Sequence, residues 1–247
     1  MSALPQPGRL SAPACTCSSA TDCATPAAQQ SRRGFLGALT FASAGMMLPQ
    51  AASAEPAIDS PEAALQALLA GNRRFVSGAM SSCRMPLAPR LRETAEKQRP
   101  FAGVLSCADS RVPVEMVFDQ ELGRLFVARV AGNIATPEVV ASLEYGVAVL
   151  GNKLIMVLGH GNCGAVKATI AAKAVPGQIS SLYQFIRPAV DRAGDHPDAA
   201  VRANAVFQAR LLASASPVLA KAVGEGSLRV VAAYYDLADG RVSVIES

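Results

Sequence analysis

The sequence contains no tryptophan and only two histidines, and aromatic residues make up 5% of it. No stretch reaches the roughly 20 consecutive apolar residues that a membrane-spanning helix needs. There is no internal repeat and no basic run interleaved with aromatics. The net charge of +4 falls to +2 once the three basic residues and one acid of residues 1–54 are set aside. So small a charge excludes a dedicated nucleic-acid surface. Beyond residue 54 there is no Cys-x-x-Cys, so a thiol–disulfide redox pair is excluded. The cysteines remaining there are Cys83, Cys107 and Cys163. They are odd in number and far apart, a poor disulfide framework. Cys107 is followed by Arg111 at a spacing too short for a phosphate-wrapping Cys–Arg loop.

What the chain does have is core material: 51% of its 247 residues are hydrophobic. The amino-terminal part differs from the rest. Residues 1–30 are rich in Ala, Pro, Ser, Thr and Gln, with little periodicity. Ser31-Arg32-Arg33-Gly34-Phe35-Leu36 then leads into a moderately apolar stretch ending at Leu48, and Ala52-Ser53-Ala54 offers a small-residue cleavage site. This order resembles a twin-arginine export signal. The expected layout is a cleaved signal over 1–54, a helical arm over 55–100 and an α/β part over 101–247, with 55–247 forming one domain. The expected location is periplasmic or secreted, with no membrane association after cleavage.

Ser60-Pro61-Glu62 is a helix start, with Ser as cap, Pro at the first position and an acid in the first turn. Leu65, Leu68, Leu69, Asn72 and Phe75/Val76 follow at helical spacing, and Gly78 stops them. Residues 88–97 read as a polar helix. An early amphipathic helix outside the central run must bury its stripe, and a partner subunit is one place to do so. Strands are expected at 101–106, 125–130, 153–158, 228–235 and 241–245. Helices are expected at 112–119 (one short turn), 136–150, 163–174, 179–192, 198–213 and from 216 to Gly224 or Gly226, with a kink at Pro188. Strand alternating with helix gives an α/β class. The sheet would hold four parallel strands and an antiparallel carboxyl-terminal edge strand, flanked by helices.

Two of these strands end in polar residues. The run 104–106 stops at Cys107-Ala108-Asp109-Ser110-Arg111, and the run 155–158 stops at Gly159-His160-Gly161-Asn162-Cys163-Gly164. As buried parallel strands they would present Cys107, Asp109, His160 and Cys163 at one edge of the sheet, where open α/β sheets place their sites. Two thiolates and an imidazole form a nitrogen/sulfur set suited to zinc. Transport in the folded state would let that zinc load in the reducing cytoplasm, away from competing Cu(II).

These two motifs together resemble β-class carbonic anhydrases. Gly71-Asn72-Arg73-Arg74-Phe75, Leu125-Phe126-Val127-Ala128-Arg129, Ala131-Gly132-Asn133, Ser142-Leu143-Glu144-Tyr145 and the closing 228–244 strand pair are similar to that family too. The resemblance spans about residues 58 to 246. It implies Cys107, His160 and Cys163 as permanent ligands of one Zn²⁺ per subunit, and Asp109 with Arg111 as a carboxylate–guanidinium dyad. It also implies Gln98 as a substrate-facing amide, Phe126, Ala131 and Tyr145 as pocket lining, and Gly164 as a backbone donor beside the metal. The implied reaction is reversible hydration of CO₂ to bicarbonate and a proton, by zinc-bound hydroxide. The implied assembly is a homodimer or a higher even oligomer in which the early helices reach across to the partner.

Zinc with two thiolates carries little net charge, so water on it is less acidified than on a three-histidine zinc, and activity should rise above neutral pH. Asp109 would orient the hydroxide while Arg111 clamps it by a two-pronged bond. Unclamped, Asp109 would become a conditional fourth ligand and close the site. Without tryptophan, the Trp-containing inhibitory bicarbonate pocket of some family members is not expected. Alternative functions on the same residues are COS or CS₂ hydrolysis, or a non-catalytic bicarbonate-binding protein. Cys83 is read as a free thiol, His196 as lying on a surface turn, Glu144 as scaffold, and Arg129 as pairing structurally with an acid.

Overall fold

Short, mostly apolar runs make the strands, and their lengths set the sheet. The computed structural model describes residues 58–82 and 86–246. The twin-arginine segment, the boundary at Ala54 and Cys83 lie outside the described residues. Among those described, the strands are β1 (Ala102–Ser106), β2 (Leu125–Arg129), β3 (Leu154–His160), β4 (Arg229–Tyr235) and β5 (Val242–Glu246). Their order is β2-β1-β3-β4-β5. The first four pair in parallel and β5 runs antiparallel to β4, as expected. β3 is buried at all seven positions, which is what an unbroken apolar run gives in a sheet covered on both faces.

Alternation along the strands separates two cores. Leu154, Met156 and Leu158 of β3 face one side, with Val104 of β1 and Val231 of β4. That side is covered by α1 (Pro61–Val76) and the short α3 (Val114–Val117), through Ala64, Leu65, Leu68, Val114, Val117 and the following Phe118. Ile155 and Val157 face the other side with Leu105 and Ala232. It is covered by α4 (Pro137–Ala148), α7 (Pro197–Ala215) and α8 (Pro217–Gly224), through Leu143, Ala205, Leu212 and Leu219. The remaining helices are α2 (Leu87–Thr94), α5 (Gly164–Ala171) and α6 (Tyr183–Ala193), the last preceded by a 3-10 turn over Ile179–Leu182.

The apolar stripe of α1 is therefore buried on the chain's own sheet, through Ala64, Leu65 and Leu68. Ser60 caps the helix by accepting from the Ala63 N–H at 3.2 Å. Asn72 donates to the carbonyls of Val117 and Gly240 and accepts from the Val242 N–H. Gly71 is the contact point: a Cβ there would stand 1.7 Å from the Phe118 carbonyl oxygen. Asp119, fully buried at its side chain and at φ 46°, then locks the end of α1. It accepts from Arg74 Nε at 2.5 Å and from the backbone and hydroxyls of Ser81 and Ser82. Burial alone would raise the Asp119 pKa, but the hydrogen bonds from Ser81, Ser82 and Arg74 outweigh it and hold the carboxyl below its ordinary range.

α2 buries no residue and exposes Leu87 and Leu91. It ends at Thr94 rather than 97, and the Arg99 N–H bonds the Gly123 carbonyl ahead of β1. α5 stops at Ala171 rather than 174 because Ala172 turns left-handed, its N–H closing on Ala168. Pro188 stands inside α6 without ending it. No described helix is long and apolar enough to cross a membrane.

Candidate metal centre

In the order β2-β1-β3-β4-β5 the direction of winding reverses between β1 and β3. A crevice opens there at the carboxyl ends of the strands. Cys107 follows the last residue of β1, His160 is the last residue of β3, and Cys163 is the cap residue of α5. One candidate ligand atom from each lies within 4.8 Å of the others, and all three residues are buried. The His160–Cys163 spacing works because Gly161 and Asn162, the latter at φ 55°, turn the chain from strand to helix in two residues.

The site fits a metal on its own chemistry. His160 Nδ1 donates to the Gly161 carbonyl at 2.9 Å, which leaves the lone pair on Nε2. That Nε2 is buried and has no hydrogen-bond partner, a costly condition for a polar atom unless it serves as a ligand. The sulfurs are prepared as well. Hydrogen bonds from the Cys163 thiol and the Gly132 N–H pull the Cys107 pKa down against the opposing effect of burial. Donation to Cys107 and burial push Cys163 up. A metal ion bound there would hold both sulfurs as thiolates.

Asp109 stands beside this triangle, its Oδ2 3.9 Å from His160 Nε2. Arg111 engages both carboxylate oxygens, Nε to Oδ1 at 2.9 Å and Nη2 to Oδ2 at 2.7 Å, and its backbone N–H adds a third bond at 3.0 Å. The Arg111 side chain, chiefly through these bonds, holds the Asp109 carboxyl well below the usual carboxylate range. Contrary to the expectation of an acid partner, among the described residues Arg129 bonds only backbone. It donates to the backbone carbonyls of Cys107 at 3.0 Å and Asp109 at 2.6 Å, bracing the loop that carries both residues.

The structure brings Cys107, Asp109, Arg111, His160, Cys163 and Gly164 together, with Ala131 adjoining through Gly132, whose N–H bonds the Cys107 sulfur at 3.3 Å. Gln98, Phe126 and Tyr145 are not brought to the same place. Gln98 is exposed and lines a cavity of about 410 Å³ with Pro100, Phe101, Arg124 and Leu150, at the amino ends of β1 and β2. The five residues of β1, about 17 Å at strand rise, separate that end from Cys107. Phe126 pairs in register with Gly103 near the same amino end. Its ring lies 6.2 Å from that of Tyr145, which is 48% exposed on α4. His196 is exposed ahead of α7, and Glu144 accepts from the Ser216 hydroxyl to tie α4 to α8. Both agree with the roles read from the sequence.

An α/β sheet with a two-thiolate, one-imidazole pocket and a clamped carboxylate at its switch point defines a zinc metalloenzyme that works on a small substrate. The family model described as carbonic anhydrase matches residues 102–242. A carbonic anhydrase of Mycolicibacterium smegmatis is 38% identical over 201 residues, 75% of this chain and 93% of that one. Carbonic anhydrase 2 of Mycobacterium tuberculosis is 37% identical over 190 residues, 74% of this chain and 91% of that one. Among solved structures, the β-carbonic anhydrase CcaA superposes with a TM-score of 0.57 at 27% identity, covering 74% of this chain and 95% of that one. A Coccomyxa β-carbonic anhydrase in complex with acetazolamide gives 0.58 at 27%, covering 73% and 86%. The chain belongs to the carbonic anhydrase family, in its β class.

Proposed function

We infer that this chain is a zinc-dependent carbonic anhydrase that interconverts CO₂ and bicarbonate. The observation that carries it is the buried His160 Nε2, left without a partner among two cysteine sulfurs and beside an arginine-clamped carboxylate. Cys107, His160 and Cys163 would hold the zinc, which when bound supplies a Lewis acid able to activate water near neutral pH. The Gly161 carbonyl keeps the proton on His160 Nδ1. Asp109 stays ionised and is held by Arg111, which would keep its carboxylate from becoming a fourth protein ligand of a bound zinc. Its oxygens can accept the hydrogen bond of the attacking O–H and orient it toward CO₂. The relatives are carbonic anhydrases, and neither COS or CS₂ hydrolysis nor a non-catalytic binding role is favoured. Stopped-flow CO₂ hydration by the purified protein should depend on zinc and rise from about pH 6.5 to about 9; full activity without metal would overturn the reading.

The site is half a pocket within one chain. Gln98, Phe126 and Tyr145 can serve as the substrate-side groups that the family resemblance implies only if a second copy delivers them. We therefore propose a homodimer, or a higher even oligomer, in which the amino end of one sheet meets the carboxyl end of another. The exposed Tyr145, Val149, Leu87 and Leu91 supply apolar surface for it. Sedimentation should find no stable monomer at working concentration. Export of the folded chain by the twin-arginine machinery to the periplasm, with cleavage after Ala54, is proposed from residues 31–54 alone. Amino-terminal sequencing of periplasmic material checks it, and a start before Ala54 would refute the boundary.

A further inference from the structure

Two polar side chains on α7 are buried as deeply as any apolar residue in the core. Asn204 and Gln208 are both 0% exposed, and neither belongs to the motifs that hold the metal or the carboxylate. Buried amides of this kind are kept only where their hydrogen bonds are made. Here the partners lie on one loop. Asn204 Nδ2 donates to the Gly132 carbonyl at 2.8 Å, and Gln208 Oε1 accepts from the Ala135 N–H at 2.9 Å. Gln208 Nε2 is shared between the Phe185 carbonyl at 2.9 Å and Asn204 Oδ1 at 3.2 Å, so the two amides restrain each other. The loop they grip is the one whose Gly132 N–H reaches the Cys107 sulfur at 3.3 Å. Gly132 sits at φ 80°, and a Cβ there would come within 2.6 Å of the Ile186 side chain. The loop thus has one place to lie, and the amides of α7 hold it there.

We infer that Asn204 and Gln208 are positioning residues for the metal centre, acting through Gly132 to keep an N–H donor on the Cys107 thiolate. The inference rests on the zinc reading above. A hydrogen bond to a ligand sulfur withdraws charge from it, so the metal keeps more of its Lewis acidity than two bare thiolates would leave it. The role is distinct from packing, because it predicts a change in the electronic character of the sulfur.

The test uses the full chain with cobalt in place of zinc. The near-ultraviolet sulfur-to-cobalt charge-transfer band reports electron density on the thiolates. In Asn204→Leu that band should move to longer wavelength, and zinc affinity in chelator competition should fall by roughly 10–100-fold, the usual cost of losing an outer partner of a metal ligand. Gln208→Met preserves side-chain volume and should shift the band in the same direction by less; it reads the same effect if Asn204→Leu does not fold. Leu212→Ala, on the same helix but in the apolar core, should lower the melting temperature and leave the band in place. An unmoved band in the folded α7 amide variants, or an equal shift in Leu212→Ala, overturns the inference. Absence of any thiolate band in the cobalt-loaded parent chain would instead overturn the metal site itself.

Discussion

The two ends of the sheet are built on different plans. At the carboxyl ends of β1 and β3 the chain completes its own geometry. Cys107, His160 and Cys163 converge, Arg111 and Arg129 fix the Asp109 loop, and one buried nitrogen is left open for a metal. At the amino ends of β1 and β2 the groups expected to meet substrate stand exposed. Gln98 lines a cavity, and Tyr145 on α4 and Val149 at its end are exposed. A metal site tolerates little slack, so it is made from strand ends and a helix cap within one chain. A pocket for a small apolar molecule can be closed by a second copy, and closure then depends on assembly.

The largest effect should come from breaking the self-contained end. Cys163→Ser should remove zinc and reduce CO₂ hydration to background, read by metal analysis and stopped flow on the same sample. Arg111→Ala keeps all three ligands but frees Asp109 to reach the metal. Activity should fall roughly 10–100-fold with zinc still bound; a variant that loses its zinc instead would show that the clamp holds the ligands rather than the carboxylate.

The other end gives a sharper test. Gln98→Ala should lower activity without changing zinc content. Mixed one-to-one with Cys163→Ser and allowed to exchange subunits, it should regain activity, because a hybrid pair has one site with zinc on one chain and Gln98 on the other. Roughly a quarter of the sites would be whole in a random mixture of two-fold pairs. No recovery after proven exchange would place Gln98 and zinc in the same chain's site, or Gln98 outside it.

The smallest effects belong to the support between the ends. Asp119→Ala strips the serine and arginine donors of their buried acceptor and should cost roughly 2–3 kcal/mol in chemical denaturation. The pH dependence follows from the lowered pKa. The unfolded carboxyl titrates near 3.9 and the folded one below it, so this contribution is complete above about pH 4 and drains away as pH falls through the folded value. Asp119→Asn should flatten that acid limb, and an unchanged limb would mean that other carboxylates carry it.

Much of this was readable along the chain, for a physical reason. The ligand set lies in two short segments where an apolar strand stops and a tight turn begins, so spacing alone aligns His160 with Cys163. The parallel sheet and its antiparallel edge follow from buried runs alternating with capped helices. Other residues looked ordinary because their meaning depends on distant partners. Arg129 holds carbonyls 22 and 20 positions away, and Asn204 and Gln208 reach back 72 and 73 positions to the loop beside Cys107. A polar residue within a helix gives no sign in its neighbours that it will be buried. The α1 stripe was legible as apolar, but only packing showed that its own sheet covers it.

The sequence by itself determined which atoms can bind the metal and the order of elements that delivers them, since both are set by local chemistry and periodicity. The tertiary structure alone decided that Arg111 clamps Asp109 beside the ligand triangle, that Asn204 and Gln208 of α7 bond the loop next to Cys107, and that Gln98, Phe126 and Tyr145 sit at the far end of the sheet. Each depends on where strands and helices meet in space, which no local run of residues encodes.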